Sequence, residues 1–351
     1  MRNSKVIDMK IVPVFLPQMG CKKRCLFCDQ RSATGFSQLP SIEELNKMIN
    51  KYIAPDERFE IAFYGGTFTA LPVLLQKRYL AWADEYIRKN VCDGIRISTR
   101  PDEINKENLI FLKKNGVKFV ELGAQSFCDD VLHESERNHS SKDIEKACTL
   151  LKELKIDFGL HLMIGLPGDE KWKDLFSSWK TVENGAKTCR LHPTIVLKGA
   201  PLESLYLDGR YRAVRLDEAI DICSDMMAIL ESNNVKVIRI GLFVPDELMK
   251  NIVAGPYHPR FGELVKGELL KKVVKFVDPE LLIYTEKQAS IVRNLDVKAI
   301  AGRELGFVVN KRFVSWKDAL KEYVSGGVED VRAIERTGTS RNQCSNRSST
   351  T

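Results

Sequence analysis

The 351-residue sequence has no apolar run near the roughly 18 residues that a membrane span needs. The stretch from Met1 to Lys10 has no signal-peptide core. These two absences predict a cytoplasmic protein with no membrane partner. No internal repeat is found, and no block of five or six like charges stands out. Lys and Arg number 54 against 47 Asp and Glu, a net +7 that allows an anionic substrate without requiring one. With 44% hydrophobic and 29% charged residues, neither a disordered nor a fibrous chain fits. Nine cysteines, an odd number without a secretory signal, argue against a disulfide framework and for a metal site.

What is present is alternation. Short β-branched runs are predicted as strands over 11–16, 60–64, 95–99, 119–123, 158–165, 190–197 and 236–242. Amphipathic stretches between them are predicted as helices over 41–53, 72–89, 106–115, 142–155, 170–184 and 216–232. Ser41 followed by Glu44 has capping-box spacing. Asn115-Gly116 and Asn184-Gly185 fit helix ends. Such order implies a parallel sheet with helices outside, in α/β class: a partial (β/α)6 barrel over 1–244. A small α+β appendage over 245–325 and a polar, unfolding tail over 326–351 are expected to follow. In barrels the chemistry sits in loops at the C-terminal ends of strands. Here those loops hold the clustered cysteines, Gly65-Gly66-Thr67, Arg100-Pro101, Gln125 and Leu166-Pro167-Gly168.

Cys21-Lys22-Lys23-Arg24-Cys25-Leu26-Phe27-Cys28 is a CxxxCxxC motif. Three thiolates at this spacing can hold three irons of a cubane and leave the fourth open, whereas electron-carrying clusters usually have four protein ligands. Lys22, Lys23 and Arg24 are expected to help keep the thiolates deprotonated. A structural zinc needs four ligands, commonly two close pairs, and no second CxxC or HxxxH exists to complete one. A non-catalytic metal-binding scaffold is the competing reading from another class. The remaining six cysteines read as small buried hydrophobes.

With Phe27 just before the third cysteine, the motif resembles the signature of radical S-adenosylmethionine (SAM) enzymes. That resemblance implies a [4Fe–4S] cluster on Cys21, Cys25 and Cys28. It also implies SAM on the open iron, reductive cleavage to a 5′-deoxyadenosyl radical, and hydrogen abstraction from a substrate. A one-electron donor such as flavodoxin or ferredoxin follows from the same chemistry. Gly65-Gly66-Thr67 resembles the family's glycine motif, where a Cβ would block the methionyl amine. Glu121 to Phe127, with Arg137, is similar to coproporphyrinogen oxidase-like enzymes and the radical subunit of Elongator, and implies Gln125 and Arg137 as SAM contacts. Ser98 stands where those relatives carry a ribose-binding glutamate, and can still accept a hydrogen bond. Ile164-Gly165-Leu166-Pro167-Gly168 matches the segment bordering the adenine.

Gly123 to Phe127, Arg100-Pro101-Asp102, His192-Pro193-Thr194 and Gly255-Pro256-Tyr257-His258-Pro259 look most like the Elongator branch, which modifies the wobble uridine of tRNA. The appendage lacks the Gln/Arg-x-x-Gly-x-Gly/Ala loop of an acetyltransferase, and no long basic extension precedes Cys21. tRNA is therefore the first partner to test, with coproporphyrinogen oxidase-like oxidation of a small anionic molecule as the alternative. Lys271, Lys272 and Lys275 are expected on one helix face, where they could meet phosphates or be merely solvated. His161 and His192 read either as core residues or as groups pointing into the barrel. His139 and His258 could face the substrate, and Trp82 and Trp172 read as packing residues. The sequence leaves oligomeric state open.

Overall fold

The computed structural model describes residues 10–35, 38–54, 57–293, 295–328 and 331. Strands β1 (Lys10–Leu16), β2 (Phe59–Gly65), β3 (Cys92–Thr99), β4 (Val117–Gln125), β5 (Asp157–Ile164) and β6 (Thr188–Pro193) pair in sequence order. The short β7 (Val196–Leu197) leaves this sheet, and β8 (Lys236–Ile240) rejoins it beside β6. Every neighbouring pair in this seven-stranded sheet is parallel. β1 and β8 end the order unpaired with each other, so the sheet is an open half-barrel.

Parallel neighbours require crossovers, and helices supply them. Helices α1 (Gln30–Thr34) and α2 (Ile42–Tyr52) follow β1, α3 (Val73–Arg88) follows β2, and α4 (Lys106–Lys114) follows β3. Next come α5 (Asp129–Glu134) and α6 (Ser141–Glu153), then α7 (Lys171–Glu183), α8 (Pro201–Leu207) and α9 (Leu216–Ser232). The predicted capping box forms at the start of α2: Ser41 accepts from the Glu44 amide, and Glu44 accepts from the Ser41 amide. In α3, Gln76, Tyr79, Leu80 and Ala83 are buried at three- and four-residue spacing, the stripe that seats it on the sheet.

Each strand alternates its faces. Val12, Val14, Ile61, Phe63, Ile97, Val120, Leu122, Leu160 and Leu162 point outward under the helices and are essentially fully buried. Each contributes about 1.5–3 kcal/mol by burial. The residues between them, including Glu60, Tyr64, Arg96, Ser98, Glu121, His161, Arg190 and His192, fall on the inner face. A parallel sheet buried on both faces usually reads as continuous apolar runs. This one does not, because its inner face carries paired charges and a pair of histidines.

One predicted strand breaks. The stretch 190–197 is not one strand: after Pro193, Thr194 donates from its amide and its hydroxyl to the Ile164 carbonyl, at 2.9 and 2.8 Å. Val196–Leu197 then pairs antiparallel with β9 (Ile252–Ala254) instead. Beyond this, α10 (Phe261–Val277) packs on α9, followed by β10 (Leu281–Tyr284), α11 (Ala289–Val292), β11 (Ala299–Ala301), β12 (Gly306–Val309), β13 (Arg312–Ser315) and α12 (Trp316–Gly326). Their four strands form a second sheet in the order β11-β10-β12-β13. The run 306–313 is a hairpin, because Asn310 and Lys311 both take positive φ (49° and 63°), the backbone of a two-residue turn. Phe307, Leu320, Leu269 and Val273 of this region share one continuous core with the barrel. Among the described residues no helix is long and apolar enough to cross a membrane. The tail expected to stay unfolded from 326 begins too early: Gly326 still belongs to α12, and Val328 and Val331 are buried in the core. Residues 332–351 lie outside the described residues.

Candidate cluster and cofactor site

The cysteine loop leaves β1 and is clamped to the loop after β2. Thr67 donates its amide to the Met19 carbonyl at 2.7 Å, and the Cys21 sulfur lies 3.3 Å from the Thr67 hydroxyl. The two loops approach so closely that glycine is obligatory on both sides. A Cβ on Gly66 would stand 2.0 Å from the Met19 carbonyl oxygen, and one on Gly20 2.3 Å from that of Thr67. Gly20 also has φ +74°, a conformation that side chains disfavour. Gln30, at the start of α1, donates to the Gly65 carbonyl and accepts from the Gln18 amide, tying a third segment to the first two. Gly66 is therefore demanded first by the cysteine loop itself, a signal that motif spacing alone does not carry.

Cys21 is exposed and Cys25 buried, with Cys28 between these extremes. Burial, then the neighbouring Cys25 and Cys21, push the Cys28 thiol up to about 12. A cationic group bound among the three is what would release its proton. Among the described residues, no three metal-ligating side chains converge on a single ion position.

One arginine reaches this set. Arg137 donates through Nη1 to the Cys25 sulfur at 3.0 Å and through Nη2 to the Gly123 carbonyl at 2.6 Å. Its Nε is buried without a partner, as is Oε1 of Gln125. Gln125 ends β4 with φ +68°, where the register with β5 shifts. Two orphaned polar atoms beside the cysteines are what a bound polar cofactor would satisfy. From Arg137 a cavity of about 1100 Å³ runs past Gly165, Pro167 and Gly168 to Tyr211 and Val214. Tyr211 donates its hydroxyl to the Gly165 carbonyl at 2.6 Å.

The model of the radical SAM superfamily matches residues 15–176, and that of the radical SAM C-terminal domain matches 186–271. An uncharacterized protein of Methanocaldococcus jannaschii is 30% identical over 74% of this chain and 79% of its own length. The chain belongs to the radical SAM superfamily. A tRNA uridine(34) acetyltransferase of Methanocaldococcus infernus is 30% identical over 66% of this chain but only 46% of its own length. The chain thus spans about half of that curated relative. The structure of an N-terminally truncated Elp3 from the same archaeon superposes with a TM-score of 0.61 at 24% identity, covering 75% of this chain and 63% of that one. It confirms the half-barrel fold. The cofactors of the superfamily, a [4Fe–4S] cluster and SAM, are the cofactors of this member.

Within this radical SAM barrel, several expected residues meet. Thr67 touches Cys21, and Arg137 touches Cys25. Gln125 lies beside Gly123, whose added Cβ would stand 3.0 Å from its Nε2 and 3.5 Å from Arg137 Nη2. Ser98 lines a narrow recess with Tyr64, Gly66 and Thr67. Ile164 does not reach the cavity: its side chain is in the core and its carbonyl is taken by Thr194. The loop that follows it does line the cavity.

The basic residues between the cysteines are placed otherwise than expected. Lys22 pairs with Glu103 at 2.8 Å, and Lys23 lines the large cavity. Arg24 pairs with Asp29 and donates to the Cys28 carbonyl, not its sulfur. The cation against the thiols is Arg137, brought in from 112 residues away. His139 is also structural: its Nε2 meets the Ala124 carbonyl at 3.0 Å, and burial pushes its pKa down to about 3. His258 accepts the Arg260 amide. Trp82 is packed as expected and donates to Asn46. Lys272 turns inward to Asp221 and Asp225 on α9, at 2.6 and 2.8 Å, and Lys271 pairs with Glu268. No phosphate-facing stripe of Lys271, Lys272 and Lys275 forms.

Proposed function

We propose that the protein reductively cleaves SAM at a [4Fe–4S] cluster held by Cys21, Cys25 and Cys28, and abstracts hydrogen from a substrate. The observation that carries this reading is the junction of three parts at one point: the three-cysteine loop, the Gly66-Thr67 clamp, and Arg137 on the Cys25 sulfur. When bound, the cluster and SAM supply the one-electron chemistry. The chain supplies position. Gly65, Gly66 and Thr67 fix the loop, and Gly66 and Thr67 border, with Ser98, the recess beside it. Gln125 and Arg137 present unpaired polar atoms for SAM, and the loop after Ile164 walls the cavity where its nucleoside fits. Arg137 holds positive charge against the cysteine sulfur. A one-electron donor of the flavodoxin or ferredoxin type completes the reaction.

For the substrate, the tRNA uridine(34) acetyltransferase activity of the matched relative supports a tRNA uridine, and this is the reading adopted. The test is anaerobic reconstitution followed by dithionite reduction. Broad visible absorbance, close to four irons per chain and formation of 5′-deoxyadenosine are expected. Colourless protein with stoichiometric zinc overturns the reading. Replacing Cys21, Cys25 or Cys28 by Ala is expected to abolish iron retention, whereas Cys148→Ala and Cys223→Ala, both fully buried in the core, keep it. Mass spectrometry of tRNA nucleosides with and without the gene tests the substrate separately.

A further inference from the structure

The inner face of the barrel carries a chain of opposite charges. Glu60 pairs with Arg96 at 2.9 Å, Arg96 with Glu121 at 3.3 Å, and Glu121 with Arg190 at 2.6 Å. Arg190 also donates to the Tyr64 hydroxyl at 2.8 Å. Two carboxylates face two guanidiniums, so this set is neutral in sum. Toward the C-terminal ends of the strands the compensation stops.

There, His161 on β5 and His192 on β6 meet edge to face with ring centroids 4.2 Å apart. His161 is the register partner of Arg190, and Arg190 that of Arg239 on the edge strand β8. Nε2 of both histidines is buried with no partner. Arg239, part-exposed at the open edge, has no ion pair or hydrogen bond among the described residues. As the parallel register partner of inward-facing Arg190, it lies on the same inner face; desolvation and then Arg190 lower its pKa, while Tyr64 and Glu121 oppose this. Buried polar atoms left unmatched cost about 1–3 kcal/mol each, so natural barrels rarely keep them without a use. A neutral imidazole offers one N–H and one acceptor. With Arg190 and Arg239 nearby, the tautomers with Nε2–H would offer an anion two donors beside two guanidiniums.

We propose that His161, His192 and Arg239 form an oxyanion subsite in the lumen, taking a carboxylate or phosphate of the substrate. That the anion belongs to a substrate rests on the radical SAM reading above; the binding itself does not. The chemistry shared by both sources is a compact oxyanion accepting two imidazole N–H bonds and a guanidinium contact. A phosphate would belong to a nucleotide, a carboxylate to an organic acid.

The test uses the reconstituted protein with saturating SAM, so that the carboxylate site of SAM itself is filled. Melting temperature is followed against sodium acetate and against sodium phosphate, with chloride holding ionic strength constant. A saturable rise with one of them is expected, since a ligand of the folded state raises stability by mass action. Losing one charge-assisted partner should weaken the response about tenfold in Arg239→Gln and in His192→Phe. Circular dichroism and iron content identify folded variants, and Arg239→Gln, at an exposed edge, covers the case where His192→Phe fails to fold. Response to acetate alone assigns a carboxylate, and to phosphate alone a phosphate. No response to either, or equal responses in wild type and Arg239→Gln, overturns the proposal. Anion binding without SAM cleavage would instead sink the radical reading and leave the subsite standing.

Discussion

Arg137 bridges the Cys25 sulfur and the Gly123 carbonyl, at 3.0 and 2.6 Å. One guanidinium thus joins the cysteine loop to the strand that ends in Gln125. Hydrogen bonds and charge at the sulfurs set the potential of an iron–sulfur cluster. Arg137→Gln should leave iron content near normal and make the reduction potential more negative, read by spectroelectrochemical titration. An unchanged potential would mean that Arg137 only braces the loop.

The loop clamp predicts a contrast between two glycines. Gly66→Ala forces a methyl group into the Met19 backbone, which cannot swing away as a side chain could. A loss of about 1–3 kcal/mol and poor iron retention are expected. Gly209→Ala meets no atom within 4 Å and bears only the strain of its φ of +70°, roughly 1–2 kcal/mol, with iron retained. Denaturant melts and iron assays on both variants check this.

Lys272 predicts a stability phenotype where its position suggested a binding one. Its ammonium meets Asp225, which also takes Lys171 at 2.7 Å and the Tyr323 hydroxyl at 2.8 Å, so α9, α10 and α12 converge on one buried carboxylate. Lys272→Ala should cost about 1–3 kcal/mol in urea melts without changing the salt dependence of tRNA binding. Lys271→Ala, two-thirds exposed, should be near neutral for stability.

Buried neutral histidines make stability depend on acid. His139 and His161 are held near 3 by burial first and by nearby arginines second. The unfolded chain, with histidines near 6.5, therefore binds more protons as pH falls below that value. Their effect on stability is nil above about pH 7 and grows unfavourable from about 6.5 down toward 3, by up to ~1.4 kcal/mol per pH unit per histidine. His139→Gln keeps a donor for the Ala124 carbonyl and should make the decline shallower by one proton. Comparing the two slopes between pH 7.5 and 5 isolates that proton from the carboxylates titrating in the same range.

Much of this was legible in the sequence, for a physical reason. Strand and helix order is written in local periodicity, and a barrel places its loops at one end, so the cysteines, Gly65-Gly66-Thr67, Gln125 and the loop after Ile164 were found together. What could not be read were partners set by the third dimension. Arg24 lies among the cysteines in sequence yet turns to Asp29, while Arg137 arrives from the far side of β4. Lys272 shares a helix with Lys271 but faces α9, and nothing in the spacing tells inward from outward for a lysine. The break after Pro193 depends on Thr194 capping Ile164, a contact between separate strands. The hairpin turn at Asn310 and Lys311 carries no glycine, the residue that usually announces one, so local sequence does not mark it.

The paired charges lining the barrel have a consequence for how this lumen can change over generations. Glu121 serves Arg96 and Arg190 at once, and Arg96 serves Glu60 and Glu121. Removing any one member strands a buried charge, a loss that breaking such a pair makes steep. Neutral drift therefore has no single-step exit from this arrangement. A relative with a differently charged lumen should differ at two or more of these positions together, so the quartet would be inherited as a block.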